Sequence, residues 1–152
     1  MKKYEMLLDQ KLVAHGTPVY RIRALRDFGA VKAGDLGGFI QSERNLSHFG
    51  DCWVGDNAMV FGHASVQDNG LVLGQAIAYG HARIIDNAKI VDRARIFGDA
   101  MASGEAIIAD GAWVSGNAHI RHETKIGDES WIHGTVQAHM YPRMGRHSID
   151  TI

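Results

Sequence analysis

The sequence predicts an all-β fold made by repetition, and three observations carry that prediction. From Val54 to Gln137 the chain divides into fourteen six-residue units without an insertion. The unit is regular: position one is Val or Ile except at Ala78 and Ala102, and position five is Ala, Gly, Ser or Thr until Val136. Position three is Gly or Asp except at His122, and the chain has 18 Gly against only 2 Pro in 152 residues. That balance calls for many sharp turns made without proline.

A helix would need apolar residues at spacings of three and four, and a flat strand unbroken alternation. A strict period of six fits a short strand followed by a corner. Positions five and one then point inward as ordinary strand residues do. Position three sits at the corner, where Gly adopts unusual backbone angles freely and Asp tolerates them. Pro18 and Pro142 both lie outside the repeat, as a hydrogen-bonded ladder requires. Residues 1–47 break the pattern. Tyr4–Leu8 and Val19–Leu25 read as strands and the intervening HGTP as a turn. This region is expected to form a hairpin and cap, with a first loose coil from about Leu36, because an open solenoid end exposes bare strand edges. Residues 48–137 form the repeat body. The polar tail, 138–152, contains Pro142 and is expected to end it.

The hexads, the opening YRIRALRDFGAVKAGDLGGFI and the GDCWV that follows resemble the hexapeptide-repeat family. They look like its YdcK-type branch of bacterial and phage-associated proteins labelled as acyltransferases. The aliphatic residue and the small one four places on match the family consensus, while its Gly next to the aliphatic residue is mostly displaced here by one place. The resemblance implies a left-handed parallel β-helix, a triangular solenoid with three hexads in each 18-residue coil and an N-terminal β cap. Residues eighteen apart would then stack about 4.8 Å apart. The interior columns become Val54, Val72, Ile90, Ile108, Ile126; then Val60, Ala78, Ile96, Val114, Ile132; then Val66, Ile84, Ala102, Ile120. The family also implies trimers that bind acyl-CoA between subunits, with a histidine as general base. Here that would nominate His63 or His81.

The net charge of −1 and pI near 6.7 argue against a general binder of nucleic acid or anionic membrane. Cys52 is the sole cysteine, which excludes a disulfide framework, and its inward position reads as a buried structural thiol. No signal peptide or long apolar span is evident, so the expected location is the cytoplasm. The motifs of P-loop, zinc-protease, nucleophile-elbow and dinucleotide sites are absent from the sequence. His63 and His81 share a corner column with Asp99, Asn117 and Thr135, a set that could orient an imidazole. His119, His122 and His133 read as a second cluster, without the spacing of a zinc enzyme. No metal site is expected.

One outward face collects Met59, Phe61, Ile77, Tyr79, Phe97, Trp113 and Trp131. An apolar stripe of this size points to self-association, here as a homotrimer. The expected function is a trimeric binding or interaction module, phage-associated, holding a small anionic ligand or a protein partner in clefts between subunits. Arg83, Arg95, Asp99 and Asn117 are its candidate ligand contacts, with Arg21, Arg23 and Arg26 of the cap as further anion contacts. One alternative is an acyltransferase with His63 or His81 as catalytic base and acyl-CoA as cosubstrate. The other is a structural phage component. No resident cofactor is expected.

Overall fold

Each hexad spends two residues on a strand and four on a corner. The computed structural model describes residues 2–135, 137–138 and 148–149. Position six of one unit and position one of the next form each short strand, as in Trp53–Val54, Met59–Val60 and Ser65–Val66. Strands one coil apart pair in parallel, with Ile90 opposite Val72 on one side and Ile108 on the other. The chain visits three sheets in turn, so the molecule is a left-handed parallel β-helix of triangular section. The long sheet has nine strands and the other two have five each. The second sheet starts with Ser65–Val66 and the third with Trp53–Val54. All three interior columns are fully buried, with the position-five alanines packed between them.

The corners explain the third position. Every one of its residues from Asp56 to Gly134 has positive φ, His122 included at 58°. Asp does more than tolerate this geometry. Asp56, Asp68, Asp86, Asp92 and Asp110 each accept, through Oδ2, the backbone N–H of position three in the next coil, at 2.7–3.0 Å. The carboxylates thus satisfy donors that the strand ladder leaves over. One corner, Gly62, Gly80, Gly98, Gly116 and Gly134, holds only glycine. A Cβ on Gly98 would lie 2.9 Å from the nitrogen of Gly116.

The N-terminal residues form β1 (Tyr4–Ala14) and β2 (Thr17–Ala24), an antiparallel hairpin, and β3 (Leu36–Ile40). β3 pairs with β2 antiparallel and with Met59–Val60 in parallel, so the hairpin extends the long sheet and caps its end. Both hairpin strands run longer than the sequence suggested, because the turn is only His15 and Gly16, at φ 49° and 77°. Leu7 lies opposite Arg21 and Lys11 opposite Tyr20, so Leu8, Asp9 and Gln10 form a bulge.

Tyr4 and Ile22 plug the open end of the core, and the Tyr4 hydroxyl donates to the carbonyl of Leu46 at 2.6 Å. Lys3 is also buried. Its Nζ donates to Cys52 O at 2.6 Å, and to Gly50 O and Cys52 Sγ at 3.3 Å each, beside the Phe28 ring. Burial pushes the Lys3 ammonium down and the Cys52 thiol up from their usual ranges. At the far end, Ser148–Ile149 pairs in parallel with Trp131–Ile132. Most of the tail expected to end the helix, Pro142 included, lies outside the described residues.

Candidate functional site

Flat side chains at equivalent positions of successive coils must stack, because the coils are about 4.8 Å apart. On the outer face of the long sheet this makes a ladder. Phe61 stacks on Tyr79 at 5.2 Å and Tyr79 on Phe97 at 5.0 Å, each pair within 3° of parallel. Trp113 meets Phe97 edge-on at 6.0 Å, Trp131 meets Trp113 at 6.5 Å, and His133 lies 4.7 Å from Trp131. Met59 and Ile77 sit half-buried on the same face.

The ladder is not uniformly open. The hairpin tip folds back over its upper end, where His15 meets Phe61 at 5.4 Å and Tyr79 at 4.9 Å. Ala14, Val19 and Phe39 close around Phe61, which keeps 4% exposure, whereas Trp113 and Trp131 keep 41% and 46%. Phe61, expected on the open stripe, is therefore covered by its own chain.

The face has two different margins. At the glycine corner, His63 and His81 stack at 4.8 Å and 4°, both exposed, with Asp99 and Asn117 next in the column. Among the described residues no hydrogen bond or ion pair joins His81 to Asp99, and no group of three or more potential ligands could hold a metal ion. The opposite margin is a groove of about 410 Å³ lined by Asn57, Met59, Gln75, Ile77, Arg93 and Arg95. Its lining thus combines two amides, two apolar side chains and two guanidiniums. Among the described residues neither arginine has a carboxylate partner; Arg95 lies over the Trp113 ring at 5.2 Å.

The four candidate ligand contacts are not brought together. Arg83 is on the second sheet, Asp99 and Asn117 are at the glycine corner, and Arg95 is at the far margin. The cap arginines are occupied within the chain. Arg21 donates to Gly37 O and Asn57 Oδ1 over the Phe39 ring, Arg23 pairs with Glu5 at 2.6 Å, and Arg26 donates to His48 O. The second histidine cluster is dispersed as well. His119 is on the second sheet, 2.7 Å from Ser103 Oγ, His122 is at a corner and His133 is on the long sheet. Arg93 and Gln75 were not singled out in the sequence. The signal was present, since Asn57, Gln75 and Arg93 are spaced by eighteen and Arg93 precedes Arg95 by two.

Eighteen-residue stacking, with position three left-handed at every corner, decides the architecture. The chain is a parallel β-solenoid of about 18-residue coils, consistent with a hexapeptide-repeat β-helix. No protein-family model matches it. Over 85 residues this chain is 34% identical to a protein of Escherichia coli (strain K12) named "Uncharacterized acetyltransferase YdcK". The match covers 51% of the chain and 26% of that protein, so it spans about a quarter of the relative's length. No helix among the described residues is long and apolar enough to cross a membrane.

Proposed function

We propose that this β-helix is a homotrimeric binding module that holds a small anionic ligand at the Arg93–Arg95 margin of its aromatic face. One observation carries the reading: Arg95 stands on an apolar stripe and, among the described residues, is paired with no carboxylate. Closing that stripe against another copy strips water from the guanidinium, which is costly unless an anion enters with it. Two adjacent arginines suit the planar, bidentate capture of phosphate or carboxylate, and Asn57 and Gln75 offer amides to a polar stem. Calorimetry with inorganic phosphate, ATP, coenzyme A and a neutral sugar tests this. Anions should bind, and Arg93→Ala with Arg95→Ala should weaken them at least about tenfold, or 1.4 kcal/mol. Phe97→Glu should break the trimer and the binding together. Equal binding of the neutral sugar, or a wild-type monomer in light scattering, overturns the proposal.

A second reading, acetyl transfer, is favoured by the name of the E. coli relative and by the exposed His63–His81 pair on the other margin. In it one imidazole takes the proton from an acceptor amine or hydroxyl as that group attacks the thioester carbonyl, and the thiolate leaves. Turnover of acetyl-CoA that disappears in folded His63→Ala/His81→Ala protein supports this reading. Absence of turnover with amine and hydroxyl acceptors removes it.

A further inference from the structure

β1 is the outermost strand of the long sheet, and among the described residues nothing pairs with its far side. Its outer half projects beyond the part that plugs the core. There Leu8, Leu12 and Val13 are 70%, 43% and 66% exposed. Large apolar side chains along a sheet edge are an aggregation hazard unless something covers them. Asp9 and Lys11 lie between them, both exposed, and neither enters an ion pair among the described residues.

The order of these residues is self-complementary. In LLDQKLV, from Leu7 to Val13, a twofold axis through Gln10 sets Asp9 against Lys11 of a second copy. The same axis sets Leu8 against Leu12 and Leu7 against Val13. We propose that this bulged edge of β1 docks a second copy of the chain about a twofold axis, two β-helices meeting at their N-terminal ends. A twofold contact uses one patch on both partners, so that patch must complement itself, and this one does so in charge and in apolarity. The bulge at Leu8–Gln10 interrupts the ladder, as bulges at sheet edges do. The contact is therefore one of side chains rather than a continued sheet. It is independent of any threefold contact through the aromatic face, and the two together would still give an even number of chains.

Light scattering on the full chain tests it by charge exchange. Wild-type protein should contain an even number of chains. Asp9→Lys alone sets lysine against lysine and Lys11→Asp alone sets aspartate against aspartate, so each should halve the mass. The double exchange should restore it. Leu12→Asp should halve it without rescue. All three positions are exposed, so circular dichroism and melting should match wild type throughout. An odd number of chains in the wild type, single variants of unchanged mass, or a folded double exchange that stays halved would each overturn the proposal.

Discussion

Aspartate at the third position does two jobs: it accepts left-handed backbone and returns a carboxylate to the next coil's N–H. The two can be separated at Asp110, with φ 56° and a 2.7 Å bond from the Asp128 nitrogen. Asp110→Gly loses the bond but relieves the backbone, so the cost should stay within about 1 kcal/mol. Asp110→Val loses the bond and forces a branched residue into a left-handed turn, and should cost about 2–3 kcal/mol. Urea unfolding of the two variants measures the difference. A pH effect belongs at this scale too. Glu43 is held below its usual 4.5 first by the hydrogen bond with His48, then by that from Lys2. With the folded value below the unfolded one, the unfolded chain takes up the proton first. The pair's contribution is therefore complete above 4.5 and lost as pH falls through the depressed value. Melting curves from pH 7 to about 3 should fall less steeply in Glu43→Gln.

Among the elements, the short strands were legible residue by residue because one face of each is an aliphatic column. Ile96, fully buried between Ala78 and Val114, shows what that column is worth. Ile96→Ala should cost about 2–5 kcal/mol in chemical denaturation. The hairpin was less legible. Its outer half carries LLDQKLV, which has no alternating pattern to mark a strand, and the bulge shifts the register there. The fold-back of the hairpin tip over Phe61 could not be read at all, since it depends on His15 meeting rings forty-six and sixty-four positions away in the chain. For the same reason the margins were only half legible. The eighteen-residue columns of His63–His81 and Arg93 can be counted in the sequence. That Arg95 lies across the face from Asp99 requires knowing at which corner each residue turns.

For the whole molecule, the interior and the surface obey different periods. Every hexad up to Ser130 offers the core the same pair, an aliphatic residue and a small one, so the inside cannot tell one face from another. The outside can: the stacked aromatic rings of the long sheet and the all-glycine corner each recur every eighteen residues and stay on their own side. Surface identity is thus a phase carried by a core that is blind to phase. Excising 84–101, one full coil, would join Arg83 to Ala102 and leave every column in place, giving a shorter prism that assembles as before. Excising 84–89 would keep the core equally well filled but advance all later residues by one side of the triangle. Phe97, Trp113 and Trp131 would part from Tyr79 and land on the third sheet. Circular dichroism should find both deletions folded, and light scattering should find only the first assembled. Such a chain can lose or gain a hexad without unfolding, and what it forfeits is the alignment of whatever its faces recognise.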